Sequence, residues 1–464
     1  MDPTVESTPI PGLLVVRLDV KRDERGWFAE TWHRERMAVL GLPDFGPVQA
    51  NVAWNQARGT TRGMHAEPWD KLVTVVSGSA YGAWVDLREG EGFGTTYALE
   101  VEPGMAVFVP RGVGNGYQTT SDATAYSYLV NDHWRPDAHY VAVDHADPEL
   151  AIAWPLPPGE RILSGRDRSA PRLTEVTPVP VRTPLVIGAG GQVGRALLAA
   201  FPDARGVTRT VLDLIDRESL GRWPWREHDV VLNAAAYTAV DAAETPTGRR
   251  QAWAVNATGP ATLARLATRH GFTLVHFSTD YVYDGTAVEH DEDEPPAPLG
   301  VYGESKAAGD AAVATTPRHY LVRTSWVIGD GPNFVRTMAG LADEGATPSV
   351  VADQVGRLGF AGEIARATRH LVERRAAYGT YQVSNGGPPR SWADIAREVF
   401  ELRGRSPDDV RPVTTEEYAE GRATAPRPAN SVLSLRKLEA TGFVPVDAGQ
   451  ALRSYLATLP ASRP

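Results

Sequence analysis

The sequence contains no cysteine. Disulfide bonds, thiolate nucleophiles and cysteine metal ligands are therefore excluded, and any chemistry must come from His, Asp, Glu, Lys, Tyr, Ser or Thr. No apolar run reaches the roughly 18 residues that a membrane helix needs. The N-terminus, MDPTVESTPIPG, is acidic and proline-rich, unlike the basic and then apolar start of a secretion signal. We expect a cytoplasmic protein that does not associate with a membrane.

The chain also has fewer basic than acidic residues: 47 Lys and Arg against 57 Asp and Glu, which gives a net charge of −10. This balance argues against binding to nucleic acid, which requires a basic surface. At 464 residues the chain is too long for one compact core, so two or three domains are expected.

The first part of the chain, from about residue 13 to residue 154, consists of short β-rich runs such as KLVTVVSG at 71–78 and MAVFVP at 105–110. Gly, Pro and Asp separate these runs at a spacing typical of strands and turns, and long amphipathic helices are absent. The pattern predicts an all-β domain, either an antiparallel barrel or a jelly roll.

Residues 155–184 are rich in Pro and Arg and lack a sustained period, which indicates a surface tail followed by a linker. Beyond them, apolar runs of strand length such as TLVHFS at 273–278 alternate with Ala- and Arg-rich helical stretches. Alternating strands and helices predict a doubly wound α/β domain with a parallel sheet. The predicted boundaries are 1–175 for the first domain, 176–184 for the linker and 185–464 for the second domain.

The run GAGGQVG at 188–194 follows an apolar strand and opens a helix. In a Rossmann fold, glycines at this point let the backbone approach a dinucleotide pyrophosphate, whose charge meets the N–H groups of the helix N-terminus. Near the end of the next strand stands Arg209, and a cation there suits a ribose 2′-phosphate. NADPH is therefore the expected cofactor, with NADH as the alternative. The predicted cofactor contacts are Gly188, Gly191, Gln192, Val193, Gly194, Arg209, Asp213, Ala234, Ala235, Ala236, Tyr302 and Lys306.

Tyr302 and Lys306 are four residues apart, which places them on one face of a helix, and Thr279 ends an apolar strand. A lysine ammonium favours the phenolate of a nearby tyrosine, so the tyrosine can exchange a proton with a carbonyl or alkoxide oxygen. The threonine can bond that oxygen. These residues predict a proton-transfer site that follows the glycine loop in the chain.

From residue 185 onward the chain resembles extended short-chain dehydrogenases, specifically dTDP-4-dehydrorhamnose reductases. The resemblance rests on GAGGQVG, NAAAYTAVDAAE at 233–244, STDYVYDG at 278–285, YGESK at 302–306, DQVGR at 353–357 and RPANSVL at 427–433. It implies a small substrate-binding subdomain and a catalytic trio of Thr279, Tyr302 and Lys306. It also places Thr238, Tyr281, Trp326 and Arg427 around the sugar nucleotide. One departure from the family is LGF at 358–360, where a Pro-Thr pair is usual.

The first half lacks the ligand pattern of a metal cupin, because the motif around His65 reads His-Ala-Glu and Asn115 occupies the later histidine position. No metal is therefore predicted. The half resembles dTDP-4-dehydrorhamnose 3,5-epimerases of the cupin jelly-roll fold. The resemblance rests on DERGWFAETW at 23–32, RGMH at 62–65, KLVTVVSG at 71–78, PRGVGNGY at 110–117, YSYLVNDHW at 126–134, DPELAIAWP at 147–155 and LSGRDRSAP at 163–171.

The epimerase resemblance implies that His65, held by Asp147, removes protons next to a ketone. Tyr128 would return them from the opposite face, and Lys71 would stabilise the enolate oxygen. The implied contacts to the nucleotide sugar are Arg25, Glu30, Gln49, Asn51 and Arg62. Three departures are expected at the substrate cavity: a shortened loop after His65, Asn115 in place of a histidine, and Gly82-Ala83 in place of Asp-Val.

Together the two resemblances imply an enzyme that epimerises dTDP-4-dehydro-6-deoxy-glucose at C3 and/or C5 and reduces its C4 ketone with NADPH. The product would be dTDP-L-rhamnose or a related dTDP-6-deoxysugar. The alternative is a 4-ketoreductase for another dTDP-deoxysugar of secondary metabolism, of the dihydrostreptose type, whose first half inverts one centre or only binds. Because both families usually pair through their folds, a homo-oligomer, in the simplest case a dimer, is expected.

Overall fold

A computed structural model describes residues 3–134, 136 and 139–460. The chain divides into two compact units, Met1–Val181 and Arg182–Pro464. The elements of the first unit are β1 (Thr4–Ser7), β2 (Leu14–Arg17), β3 (Val20–Asp23), β4 (Gly26–Ala29), α1 (Arg34–Val39), β5 (Gln49–Asn55), β6 (Thr61–Ala66), β7 (Lys71–Ser77), β8 (Ala80–Asp86), β9 (Thr96–Val101), β10 (Met105–Val109), β11 (Val113–Thr119), β12 (Thr124–Val130), β13 (Val141–Ala142) and α2 (Gly165–Arg168).

The first unit consists of two antiparallel sheets, with strand orders β1-β2-β10-β7-β12-β5 and β13-β6-β11-β8-β9. Side chains from both sheets, among them Val73 of β7 and Trp84 of β8, form the core between them. Because side chains alternate along a strand, Ala83 and Val85 point to the opposite face of β8, where residues 141–179 cover them. The predicted all-β architecture is confirmed.

The segment predicted as a linker is attached to both units. Val179 is buried on the first unit, where its N–H donates to the Leu87 carbonyl over 2.7 Å. Thr183 belongs to the second unit, and its N–H donates to the Glu227 carbonyl over 3.1 Å.

The second unit is built on a parallel sheet with the order β15-β14-β16-β17-β18-β23. Its strands are β14 (Leu185–Ile187), β15 (Arg205–Val207), β16 (Val230–Asn233), β17 (Thr273–Thr279), β18 (His319–Thr324), β19 (Val327–Ile328), β20 (Ser349–Val351), β21 (Val355–Gly356), β22 (Gly359–Phe360), β23 (Gly379–Val383), β24 (Arg390–Ser391) and β25 (Arg411–Val413). Its helices are α3 (Gln192–Ala200), α4 (Arg217–Arg222), α5 (Val240–Ala243), α6 (Pro246–Trp253), α7 (Gly259–His270), α8 (Val301–Val313), α9 (Phe334–Asp343), α10 (Ala361–Glu373), α11 (Trp392–Leu402), α12 (Thr415–Ala419), α13 (Arg436–Glu439) and α14 (Ala448–Thr458).

The central sheet of the second unit is buried on both faces. Val186 packs on the side of α3 and α10, whereas its neighbours Leu185 and Ile187 pack on the side of α7. A further core, formed by α9, α11 and α14 with Trp326 and Phe360, makes a subdomain. The predicted doubly wound α/β fold is confirmed. The described helices include none with the length and apolar character of a membrane span.

We predict that the chain separates between residues 181 and 182 into two pieces that fold alone. Each hydrophobic cluster draws its buried residues from one unit, so each piece keeps its own core. The pieces 1–181 and 182–464, expressed separately, should each unfold cooperatively on heating. A piece that shows no cooperative transition contradicts the division.

Candidate functional site

A cavity of about 410 Å³ opens in the first unit, with walls from strands of both sheets and from residues 162–167. Its charged and polar lining residues include Arg62, His65, Glu67, Lys71, Asn115, Tyr126, Tyr128, Arg166 and Asp167. Four residues implied by the sequence, His65, Lys71, Tyr128 and Arg62, therefore share one cavity.

His65 forms a hydrogen bond with Asp167, and its Nε2 lies 2.7 Å from Asp167 Oδ1. The buried Asp167 is held by Ser164, whose hydroxyl donates to the second carboxylate oxygen over 2.8 Å. Burial lowers the pKa of His65, an effect that the Asp167 carboxylate opposes. The imidazole is therefore neutral at pH 7 and can act as a base.

The expected pairing of His65 with Asp147 is wrong. The Asp147 carboxylate accepts the backbone N–H groups of Leu173, over 2.7 Å, and Glu149, over 2.9 Å. These bonds lower the pKa of Asp147 and start the turn Pro148–Leu150. Because both oxygens of Asp147 are used by the backbone, this carboxylate has a structural role, and Asp167 takes the place beside the histidine.

Lys71 and Tyr128 lie on the neighbouring strands β7 and β12. The buried Lys71 ammonium forms an ion pair with Glu67. Burial raises the pKa of Tyr128, and the negative charge of Glu67 adds to the rise. The phenol therefore keeps its proton at neutral pH and can donate it.

Asn115 stands opposite His65 in the pairing of β11 with β6 and accepts a hydrogen bond from the Tyr126 hydroxyl over 3.1 Å. The expectation that Gly82 and Ala83 also reach the cavity is wrong. Gly82 packs against the ring of Trp84, and Ala83 is buried in the core on the opposite face of its sheet.

Gln49 and Asn51 lie on the same face of β5, where the Gln49 amide donates to Asn51 over 3.0 Å. Asn51 also stands opposite Tyr128 in the pairing of β5 with β12. Of the five residues implied for the nucleotide sugar, Arg62 alone is among the described residues that line this cavity. Arg25 is paired with Asp23 in the hairpin of β3 and β4, and Glu30 is exposed.

The second unit carries a glycine loop between β14 and α3. Gly188 has a φ of +83°, and a Cβ built on it would lie 2.6 Å from the backbone nitrogen of Ala235. A Cβ on Gly194 would collide with the Gly188 carbonyl. Gly191 caps α3 without a side chain that could bond the first-turn N–H groups. The loop therefore fits a pyrophosphate bound by backbone N–H groups, as a dinucleotide cofactor requires.

The residues implied for the adenosine end lie after β15 and β16. The Thr208 methyl lies 3.7 Å from a Cβ built on Gly190, so the end of β15 borders the glycine loop. Arg209, the next residue, is exposed. Asp213 accepts the N–H of Ile215 over 3.1 Å. Residues 234–236 follow β16 beside the loop and are half-buried.

Thr279 and Tyr302 meet where β17 ends and α8 begins. Burial raises the pKa of the Tyr302 hydroxyl, and a hydrogen bond with Thr279 opposes the rise. Thr279 also donates to Asp280 over 3.0 Å, and burial raises the pKa of Asp280 to about 6. Tyr302 therefore holds a proton that it can give to a substrate oxygen.

Lys306 is fully buried, and its ammonium donates to the Phe277 carbonyl over 2.6 Å. His276 Nε2 lies 3.4 Å from the same nitrogen. Burial lowers the pKa of Lys306 to about 8, and the negative charge of Asp310 opposes this shift. Asp310 is in turn paired with Arg323 at 3.2 Å. The carboxylate of this buried Asp310–Arg323 ion pair therefore stabilises the charged form of Lys306.

Tyr281 and Arg427 lie on the side of Tyr302 that borders the segment after β16. The ring of Tyr281 meets that of Tyr302 edge-on, with centroids 5.8 Å apart. Arg427 forms an ion pair with Asp241 at 2.9 Å and a hydrogen bond with Tyr281. The second unit therefore brings two of the implied substrate contacts to Tyr302.

The other two implied substrate contacts, Thr238 and Trp326, differ in burial. Thr238 is exposed. Trp326 is buried in the subdomain core, where its ring stacks on Trp392 with centroids 3.7 Å apart. The described residues contain no cluster of three His, Asp or Glu side chains that could hold a metal ion.

The sequence interpretation missed three acids: Glu67, Asp167 and Asp310. Two of them lie four residues from a lysine of the site, Glu67 before Lys71 and Asp310 after Lys306. For Asp310 this spacing was a usable signal, because residues four apart on a helix such as α8 share a face. Glu67 and Lys71 instead flank the turn between β6 and β7, where the same spacing gives no such indication. Asp167 offered a weaker signal, a serine three residues before it in a helix-capping position.

The fold and the sites define a two-part protein, a β-sandwich with an acid–base cavity joined to a Rossmann-type unit with a Thr, Tyr and Lys site. The family model described as RmlD substrate binding domain matches residues 182–460, more than half of the chain, and the chain belongs to this family. A second family model, dTDP-4-dehydrorhamnose 3,5-epimerase, matches residues 7–175.

Individual relatives match one unit each. The Protein RmlC homolog of Streptococcus pyogenes serotype M6 is 43% identical over 181 residues, which are 38% of this chain and 91% of the relative. The dTDP-4-dehydrorhamnose reductase of Mycolicibacterium smegmatis is 38% identical over 288 residues, which are 59% of this chain and 85% of the relative. A solved dTDP-4-dehydrorhamnose reductase of Bacillus anthracis in complex with NADP is 32% identical and covers 60% of this chain and 99% of its own, with a TM-score of 0.55. The predicted fusion of an epimerase-like and a reductase-like domain is confirmed.

We predict that Asp167→Asn lowers the pKa of His65, because the Asp167 carboxylate opposes the lowering caused by burial. Histidine titration followed by NMR, with His65→Ala to assign the signal, measures the change. The matched variant Asp147→Asn should leave the titration of His65 unchanged. Equal shifts in the two variants would contradict the assignment of Asp167 as the partner.

Proposed function

We propose that the chain is a bifunctional nucleotide-sugar enzyme. The first unit epimerises dTDP-4-dehydro-6-deoxy-glucose at C3 and/or C5, and the second reduces the C4 ketone with NADPH to give dTDP-L-rhamnose or a related dTDP-6-deoxysugar. The observation that carries the proposal is that one chain holds both a cavity lined by His65, Lys71 and Tyr128 and a second site with Thr279, Tyr302 and the buried Lys306. The two family matches support it.

In the first unit, His65 takes a proton from the carbon next to the ketone. The electron pair of the broken C–H bond moves to the ketone oxygen, and the ammonium of Lys71 stabilises the resulting enolate. Tyr128 returns a proton to the same carbon. His65 and Tyr128 stand on strands of different sheets, so a sugar between them is approached from opposite faces, which inversion requires.

In the second unit, Tyr302 gives its proton to the C4 oxygen, and Thr279 bonds that oxygen. The charge of Lys306 offsets the negative charge left on the tyrosine. NADPH, when bound at the glycine loop, supplies the hydride for C4. The preference for NADPH over NADH follows from Arg209, whose cation suits the 2′-phosphate, and the relative in complex with NADP supports it. Thr238, Tyr281, Trp326 and Arg427 would hold the sugar nucleotide.

The proposal includes a homo-oligomer, in the simplest case a dimer, that works in the cytoplasm on a dTDP-linked sugar. A second candidate is a ketoreductase for another dTDP-deoxysugar whose first unit inverts only one centre or only binds. Asn115 favours it, because this uncharged side chain faces the cavity opposite His65 and is already bonded to Tyr126.

We predict that the full chain, given dTDP-4-dehydro-6-deoxy-glucose and NADPH in deuterated water, yields a reduced sugar with solvent deuterium at C3 and C5, read by NMR. His65→Ala should reduce deuterium incorporation by about 100-fold or more, since general base catalysis contributes that much. It should leave the reduction of a pre-epimerised substrate intact. Tyr302→Phe should do the reverse.

Label at one carbon in this experiment would identify a mono-epimerase, and reduction without label would leave the first unit as a binding module. Exchange that survives His65→Ala would contradict the assigned base.

We predict that ketone reduction declines as pH rises above about 8, because the Lys306 ammonium loses its proton there. The charge of Asp310 holds the pKa of Lys306 up, so Asp310→Asn should move this alkaline limb to lower pH. The matched control is Glu304→Gln on the same helix, which should leave the limb in place. The pH profile of kcat/KM for reduction measures both variants, and an unmoved limb in Asp310→Asn would refute the role of that carboxylate.

A further inference from the structure

Glu67 is a charged residue of the cavity that the proposed mechanism does not use. It lines the cavity beside Lys71, with 20% of its side chain exposed, and the two side chains form an ion pair. The turn between β6 and β7 is held in place by hydrogen bonds to Asp70, and not by the Glu67 carboxylate. Asp70 accepts hydrogen bonds from the Arg111 backbone N–H over 2.8 Å and from the Asn131 amide over 2.9 Å.

The ion pair offers a ligand two opposite hydrogen-bonding groups side by side. The Lys71 ammonium only donates hydrogen bonds, and the ionised Glu67 carboxylate only accepts them. Glu67 Oε2 is buried against the Lys71 ammonium, and the exposed part of the Glu67 side chain lines the cavity. A ligand that satisfies both groups needs an acceptor oxygen next to a hydroxyl.

An α-hydroxyketone has this arrangement, because oxygens on adjacent carbons lie about as far apart as two hydrogen-bond partners. A ketone oxygen only accepts, whereas a hydroxyl also donates. In a 4-dehydro sugar, the one hydroxyl-bearing carbon next to the ketone is C3. The C4 oxygen would face Lys71, and the C3 hydroxyl would face Glu67.

We propose that Glu67 is a specificity-determining residue that accepts a hydrogen bond from the hydroxyl next to the ketone. The first unit then selects α-hydroxyketone sugars over sugars that lack oxygen at C3. The inference rests on the proposed function of this unit. When a proton leaves the carbon next to the ketone, the electron pair moves to the C4 oxygen at Lys71, and the C3 hydroxyl keeps its proton and its bond to Glu67. A 3-deoxy sugar leaves the carboxylate without that donor, which weakens binding.

The test measures solvent deuterium incorporation at C5 by the full chain without NADPH. The two substrates are dTDP-4-dehydro-6-deoxy-glucose and its 3-deoxy analogue. The wild-type protein should prefer the hydroxylated sugar by about 10- to 100-fold in kcat/KM, the size expected for one hydrogen bond to a charged group. Glu67→Gln should lose most of this preference by slowing on the hydroxylated sugar alone. Glu67→Asp keeps the charge and should retain part of the preference, and the exposed Glu91→Gln should match the wild type.

The other outcomes distinguish a failure of the specificity role of Glu67 from a failure of the proposed epimerase function. A preference that survives Glu67→Gln overturns the specificity role while exchange itself continues. Equal slowing on both sugars in the Gln and Asp variants also overturns it, since Glu67 would then act only by holding Lys71. An absence of label with either sugar in the wild-type protein overturns the proposed epimerase function, and the inference with it.

Discussion

The removal of charged side chains from water is the constraint on which both sites depend. Lys71 and Lys306 are two of only four lysines in the chain, and both are buried. A buried ammonium is tolerated only beside a carboxylate or with good hydrogen bonds. Lys71 therefore forms an ion pair with Glu67. Lys306 donates a hydrogen bond to the Phe277 carbonyl and is stabilised by the negative charge of Asp310. The same desolvation also sets the protonation states of two site residues, because it holds His65 neutral and Tyr302 protonated.

The groups that stabilise each site come from parts of the chain that are distant in sequence, so the fold must bring them together. The His65–Asp167 hydrogen bond joins residues 102 positions apart and draws the segment after the last strand over the cavity. Asp147 anchors that segment further back, through its bond to the Leu173 N–H. In the second unit the parallel sheet brings Thr279 at the end of β17 to the start of α8, where Tyr302 and Lys306 follow one another on one helical face. The first site thus lies in a cavity between strands of both sheets, and the second lies at the carboxyl end of a parallel strand.

The sequence predicted the architecture well, because strand alternation, glycine spacing and helix periodicity are local properties. Gly188, Gly194, Tyr302 and Lys306 follow from such spacing, and the structure shows the close packing that excludes a side chain at the two glycines. The choice between Asp147 and Asp167 is not local. Both aspartates lie after β13, where the chain forms only short helical turns. Only the folded chain reveals that backbone N–H groups bond to Asp147 and that Asp167 bonds to His65. The rarity of lysine in this arginine-rich chain could also have pointed to Lys71 and Lys306 as functional residues. Unlike arginine, lysine changes its pKa readily when buried, as Lys306 does.

The proposed chemistry also gives a reason for joining the two units in one chain. A proton next to a ketone is acidic only while the ketone exists, so an epimerised 4-dehydro sugar can revert through the same enolate. Reduction at C4 removes the carbonyl and with it the route back, which draws the epimerisation forward. On this account Lys71 and Tyr302 act on the same substrate oxygen in turn: the first stabilises it as an enolate, and the second protonates it as an alcohol. The two units would thus share one substrate feature, the C4 oxygen, while they differ in the carbon on which each acts.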